Sequence, residues 1–248
     1  MGLTIITTAV IKGGTGKTTT AAALAQAATK NRKRVLAIDL DPQANLTAAL
    51  GADQNLPGAY QLLHEDDPAS LIQKTEQGID TISAAPDLAT EQTKPASGWR
   101  LRNVLDSMKG YDLIIIDTPP FLGELTYNAL LAATGLIIPI EADTFGLQGL
   151  YQITDIAHHL QNNGARVNIY GSVITRYDAR SKISRFWYDA ISEKGAENGA
   201  PLLGVIRPGV VVKEAQGLRQ SLFDYAPKSK PAQDYMALYE RIRRMRNK

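Results

Sequence analysis

Eight consecutive residues constrain this chain more than any others: Lys12-Gly13-Gly14-Thr15-Gly16-Lys17-Thr18-Thr19. They follow an apolar, β-branched run, Leu3–Val10, and open a helix-like stretch, Thr18–Lys30. Glycines at 13, 14 and 16 let the backbone turn tightly and aim its N–H groups at an anion. A helix starting near Lys17 adds unpaired N–H groups and the positive end of its dipole. Strand, glycine loop and helix in that order form a phosphate-binding P-loop. In it Lys17 reaches the β- and γ-phosphates, the Thr18 hydroxyl ligates Mg²⁺ and Thr19 meets the α-phosphate. The strict pattern G-x-x-x-x-G-K-[ST] is not met, because Ile11 occupies the first glycine position and a second lysine, Lys12, stands just inside the loop. Two lysines flanking Gly-Gly-Thr-Gly are hard to explain as packing.

Two carboxylate positions extend the site. Asp39-Leu40-Asp41-Pro42-Gln43 follows a second apolar run, and Asp117-Thr118-Pro119-Pro120 follows Leu113-Ile114-Ile115-Ile116. A buried strand that ends in Asp sets that carboxylate at the C-terminal edge of a parallel sheet, beside the P-loop. Asp117 is the expected Mg²⁺ ligand, direct or through water. Asp41 faces the γ-phosphate and orients the attacking water, and Asp39 supports the metal or the lysines. Taken singly, each Asp reads equally well as a loop residue or a helix N-cap.

Runs at Val35–Ile38, Ile79–Ser83, Leu113–Ile116, Leu136–Ile140, Val167–Ile174 and Leu202–Ile206 alternate with helix-like segments at 101–108, 124–133, 149–161, 183–194 and 233–245. That rhythm predicts an α/β fold: a mostly parallel sheet flanked by helices. The loosest stretch, Gly51–Gly78, holds Pro57-Gly58 and an acidic cluster at Glu65–Asp67, and reads as a surface excursion. The absence of cysteine excludes disulfides, zinc–thiolate sites and iron–sulfur clusters, and suits a reducing cytoplasm. No apolar run approaches the roughly 20 residues that span a bilayer. The net charge of +2 is asymmetric: residues 1–175 hold 12 Lys and Arg against 17 Asp and Glu, and residues 176–248 hold 15 against 8. A basic end of this kind meets polyanions, nucleic acid or lipid headgroups, or is a solvated charged surface. His158-His159 has no carboxylate at a ligand spacing and reads as structural.

These motifs resemble the ParA/MinD family of deviant P-loop ATPases, most closely its small ParA-type partition ATPases. The resemblance rests on KGGTGKTT, VLAIDLDPQANLT and DLIIIDTPPFLGELTYNALLAATGLIIPIEADTFGLQGL, and more loosely on RYDAR and the segment from Arg207 to Glu214. It implies a single P-loop domain over residues 1–248 without an N-terminal DNA-reading domain. It also implies an ATPase, cycling between ATP and ADP with Mg²⁺, whose intrinsic turnover is slow. Lys12 would reach across an ATP-sandwiched homodimer to the partner's phosphates, Asp41 would serve hydrolysis, Asp117 the metal, and Arg207 and Pro208 the adenine base. The expected partners are nonspecific DNA and a ParB-like or other cargo-bound stimulating protein, and the expected location is the cytoplasm, on the nucleoid.

The chain departs from the family pattern at Ile11, at Arg207-Pro208-Gly209 and at Val211, where an arginine commonly contacts DNA. Arg180 matches a second such arginine, and Lys213 lies close enough to substitute for the first. The candidate DNA contacts are Arg176, Arg180, Lys182, Arg185, Lys213 and Arg219, expected to form one stripe. The rival reading is a MinD-like membrane-surface ATPase. Its best feature is the terminal helix, with Tyr235, Leu238, Ile242 and Met245 on one face and Arg241, Arg243, Arg244 and Arg246 mostly off it. The alternative for that helix is an apolar face packed on its own domain. A metabolic enzyme on the same scaffold, such as an amidoligase, would need a substrate pocket for which no motif is found.

Overall fold

The computed structural model describes residues 3–64, 67–92 and 99–245; Glu65 and Asp66 of the acidic cluster and Arg246 of the terminal helix lie outside them. In chain order the elements are β1 (Thr4–Thr8), α1 (Lys17–Lys30), β2 (Val35–Asp39), α2 (Asn45–Leu50), α3 (Ala59–Leu62), β3 (Gln73–Lys74), β4 (Asp80–Ile82), α4 (Arg100–Ser107), β5 (Leu113–Asp117), α5 (Glu124–Ala132), β6 (Gly135–Ile140), α6 (Thr144–Asn162), β7 (Asn168–Ile174), α7 (Lys182–Glu197), β8 (Leu202–Val205), α8 (Val211–Gly217), α9 (Leu222–Tyr225) and α10 (Lys230–Met245).

All eight strands join one sheet in the order β3-β4-β2-β5-β1-β6-β7-β8. Every pairing is parallel except the short edge pair β3–β4. The central strands β1, β2, β5 and β6 are buried along their whole length, which is why they read as unbroken apolar runs. Alternation then sorts their side chains between two faces. Leu113 and Ile115 of β5 face α1, α2 and α8–α10. Ile114 and Ile116 face α3–α5, and the same side continues over β6 and β7 under α6 and α7.

Helix α1 is enclosed by the sheet, α2, α9 and α10. Its residues from Thr20 to Ala28 are all buried, so an alanine-rich helix, apolar all round, fits where an amphipathic one would not. The sequence predicts a helix from residue 149, whereas α6 begins at Thr144, capped by Asp143. The early glycines that break the helical pattern permit close approach: a Cβ at Gly149 would stand 2.9 Å from Val10 Cγ2. The stretch 51–78 is more than a surface excursion, since Ala59, Leu62, Leu63 and Leu71 are buried against β2 and β4.

Candidate functional site

The P-loop joins the end of β1 to the start of α1, at the C-terminal edge of the sheet. Gly16, the residue before α1, has a left-handed backbone (φ 90°) that favours glycine, and a Cβ there would press to 3.2 Å on Thr175 Cγ2. Thr175, just past β7, also donates from its hydroxyl to the Thr15 carbonyl at 2.7 Å, so the loop is pinned from a strand two places along the sheet. The Thr15 hydroxyl is buried without a hydrogen-bond partner.

The two lysines point opposite ways. Lys17 is buried, and its ammonium donates to the Lys12 carbonyl at 2.9 Å. Burial pulls its pKa below the usual lysine value, while Asp117 and Asp41 pull the other way. Lys12 turns outward. Its Nζ lies 2.8 Å from Asp143 Oδ2 and 3.5 Å from Glu141 Oε2, and 5.4 Å from the centre of the exposed Phe145 ring. Burial raises the Asp143 carboxyl, but the Lys12 ammonium and the Gly146 amide outweigh it and hold the pKa below the usual value.

The strand-end carboxylates converge as the sequence predicts, because Asp39 and Asp117 are register partners on adjacent strands. Both are fully buried. Asp117 Oδ2 accepts from the Thr18 hydroxyl at 2.6 Å and Oδ1 from the Thr8 hydroxyl at 3.3 Å. Burial, with Asp39 alongside, pushes the Asp117 carboxyl up to about 8. Asp39 has other partners: Oδ2 accepts from the Thr47 amide and hydroxyl at 2.8 Å, and Oδ1 from the Asp41 amide at 3.0 Å. Burial raises it to about 6 against those bonds. The geometry therefore gives Asp39 the loop that carries Asp41, and gives Asp117 the Thr18 hydroxyl. Asp41 accepts from the Gln43 amide at 3.0 Å and lines a cleft of about 540 Å³ with Lys17, Thr18, Gly13 and Pro120. Ala44, in the turn that follows, holds a left-handed backbone (φ 53°), a strained conformation of the kind stored at functional sites.

A second, less polar cavity of about 200 Å³ adjoins the first across Gly14, Gly16, Thr19 and Gln216. Arg207 and Pro208 line it, together with Arg176 and Tyr235. The Arg207 guanidinium is forked onto Asp234, with Nη2 2.6 Å from Oδ1 and Nε 2.9 Å from Oδ2, so it fastens the turn before α8 to α10. A larger hollow of about 880 Å³ opens at the far end of the strands, by Arg34, Lys74 and Tyr111, remote from the motif residues.

A Mg-nucleotide fits these residues. Thr18 and Asp117 offer hard oxygen donors, and two buried carboxylates driven upward in pKa call for a cation. Among the described residues no group of three His, Asp or Glu gathers to hold a metal; Mg²⁺ commonly binds through one or two protein oxygens with substrate phosphate and water as its other ligands.

The six basic residues do not form one stripe. Arg180, Lys182 and Arg185 stand at the start of α7, whose core side packs with α6, whereas Lys213 lies in α8 and Arg219 just after it, with α8 packed on the other core cluster. Arg176, still exposed, turns toward the P-loop, its guanidinium donating to the Gly14 carbonyl and pairing with Glu141. Val211 is half-buried against the α8 side of the core. On α10, Tyr235, Leu238, Tyr239 and Ile242 are buried on α1 and β8, whereas Met245 is exposed. Among the described residues no helix is long and apolar enough to cross a membrane. Sequence reasoning passed over Glu141, Asp143, Thr175 and Asp234. The first two follow β6 at the same sheet edge as Asp39 and Asp117, so the strand-end rule that found those would have found these.

Residues 3–169 match the AAA domain family. The chain is 33% identical over 234 residues to the chromosome-partitioning ATPase Soj of Thermus thermophilus, covering 93% of this chain and 92% of the relative. Among solved structures it is similar to a cobyrinic acid a,c-diamide synthase from Mycobacterium smegmatis with bound ADP and magnesium (29% identity, TM-score 0.81, 99% and 96% of the two chains). It is also similar to a variant of McdA from Cyanothece in complex with ATP (25% identity, TM-score 0.86, 99% and 96%). The P-loop with its outward second lysine, the two strand-end carboxylates and likeness along nearly the whole length agree: the chain belongs to the ParA/Soj family of P-loop ATPases.

Proposed function

We propose that this chain is a partition ATPase, which dimerises around Mg-ATP, binds DNA without sequence preference and is released by hydrolysis when a cargo-bound, ParB-like partner engages it. Residues 1–248 act as one P-loop unit, in the cytoplasm and on the nucleoid. The observation that carries the reading is the opposed pair of lysines. Lys17 is buried beneath the cleft, whereas Lys12 leaves the same loop for Asp143 and Glu141.

In this reading the backbone N–H groups of Gly13–Thr19 cradle the phosphates and Lys17 swings from the Lys12 carbonyl to the β- and γ-oxygens. Arg207 and Pro208 wall the base. Thr18 and Asp117 would hold Mg²⁺, which supplies charge neutralisation across the β- and γ-phosphates. Asp41 orients the attacking water, and Asp39 fixes the loop that presents it. Turnover is slow, because the site in one subunit lacks the cation that a second subunit brings. The Soj likeness and the covered face of α10 favour partition over a membrane-surface role. In this reading phosphates and base would fill the two adjoining cavities.

Asp41→Ala tests the scheme. It should bind ATP, lose hydrolysis and accumulate as a dimer in size-exclusion chromatography with Mg-ATP. Lys12→Gln should bind ATP and stay monomeric. A wild type and an Asp41→Ala variant that both remain monomeric with Mg-ATP would remove the dimer from the reading.

A further inference from the structure

Arg176 stands just past β7 with a left-handed backbone (φ 53°), which a non-glycine residue keeps only where its surroundings impose it. Three contacts are drawn together by that conformation. The guanidinium donates to the Gly14 carbonyl inside the P-loop. It pairs with Glu141 Oε1 at 2.5 Å, while the other oxygen of that carboxylate faces Lys12 at 3.5 Å. It also lines the 200 Å³ cavity beside Arg207 and Pro208. One side chain thus touches the phosphate loop, the acid that helps retain Lys12 and the wall of the base cavity.

We propose that Arg176 is a positioning residue, which holds the P-loop in shape for nucleotide and sets how firmly Lys12 is kept in its own subunit. A carboxylate shared between two cations binds each less tightly than it would bind one alone. With Arg176 in place, Glu141 divides its charge and Lys12 leans mainly on Asp143. Without it, Glu141 turns wholly to Lys12, and the lysine leaves for a partner's phosphates less readily. The Gly14 carbonyl loses its donor at the same time, so the loop loosens. Both contacts pass through one nitrogen, Nη2, so a lysine ammonium that reached the same point would restore them in part.

The Lys12 half of the inference rests on the ATP-dimer reading; the loop half does not, because ADP binding needs one subunit only. Two measurements therefore run together on wild type, Arg176→Ala, Arg176→Lys, Glu141→Gln and the Arg176→Ala/Glu141→Gln pair. The first is titration with a fluorescent ADP analogue, and the second is sedimentation with saturating Mg-ATP. Arg176→Ala should weaken ADP binding about tenfold, the scale of a lost charged hydrogen bond, and shift dimerisation to higher protein concentration. Arg176→Lys should recover part of the ADP affinity. Glu141→Gln should dimerise at lower concentration than wild type; the double variant should follow it in dimerisation, since the competing carboxylate is gone, and follow Arg176→Ala in ADP affinity, since the donor to Gly14 is gone. The KM for ATP should rise in Arg176→Ala by more than kcat falls, and Arg176→Lys should lie between it and wild type. ADP affinity and dimerisation both within twofold of wild type in Arg176→Ala would overturn the proposal. If wild type itself fails to dimerise with ATP, the partition reading falls, and an unchanged ADP affinity in Arg176→Ala would still overturn this one.

Discussion

Asp39 and Asp117 stand side by side at the ends of β2 and β5, both out of contact with water. An unfolded Asp titrates near 3.9, whereas burial carries the native carboxyls to about 6 and about 8. From about pH 4 to pH 8 the native state therefore holds more protons than the unfolded chain. Its stability is greatest on the acid side of that window and is lost as pH rises through the native values. The nucleotide-free protein should melt about 3 °C or more lower at pH 8 than at pH 5.5. Mg-ADP should narrow the gap by supplying the missing cation, and Asp117→Asn should flatten it. Thermal denaturation across pH decides this, and a nucleotide-free melting point that rises from pH 5.5 to pH 8 would count against the buried pair. Lys17 belongs to the same charge cluster. Lys17→Ala should abolish hydrolysis and weaken ATP binding at least about tenfold; wild-type turnover in the purified variant would remove the P-loop assignment.

At the level of elements, the central strands and α1 were legible because burial on every side leaves a compositional trace: β-branched runs for the strands, an alanine-rich stretch for the helix. The strand-end rule placed Asp39, Asp41 and Asp117 for the same reason. Elements with weaker patterns escaped. Strand β3 has two residues and α3 and α9 four each, too short for any periodicity, and α6 hid behind glycines that serve packing. The clamp on Lys12 escaped because its partners are distant in sequence, and Arg176 was assigned to DNA because charge alone does not say which way a side chain turns. Helix α10 is where the two readings part most cleanly. Ile242 is 2% exposed and packs with Tyr235, Leu238 and Tyr239. Ile242→Ala should cost about 2–4 kcal/mol of unfolding free energy in a denaturant melt, as core truncations do. A membrane anchor predicts unchanged stability with loss of liposome binding, and that pair of results would reverse the assignment of this helix.

At the level of the whole molecule, the candidate DNA contacts fall into two patches, Arg180, Lys182 and Arg185 at the start of α7 and Lys213 with Arg219 at α8 and just after it. Either patch alone offers few phosphate contacts. The α7 patch is further weakened by Asp178, which takes the Arg180 fork at 3.0 Å through both of its oxygens. Arg180 is nonetheless 90% exposed, and an exposed pair of this kind is worth only about 0–1 kcal/mol, so a phosphate can displace it. In the proposed dimer two subunits would bring two copies of each patch to one duplex, and DNA affinity should rise with ATP for that reason alone. Each phosphate neutralised adds roughly −0.9 to the slope of log K against log salt. The ATP dimer should therefore show a steep slope and the ADP form a shallow one. Arg180→Glu and Lys213→Glu should each flatten the slope of the ATP form by about 2, one contact per subunit. Because Arg180 and Lys213 stand on different elements and share no partner, their effects should add. If only one variant responds, a single face meets the duplex, and Val211, half-buried where the family commonly carries arginine, marks α8 as the silent one. Fluorescence anisotropy on a short duplex across a salt series, run beside sedimentation with anionic liposomes, gives both answers from one preparation. Liposome binding that depends on ATP, with DNA affinity weak and blind to the nucleotide, would overturn the partition reading.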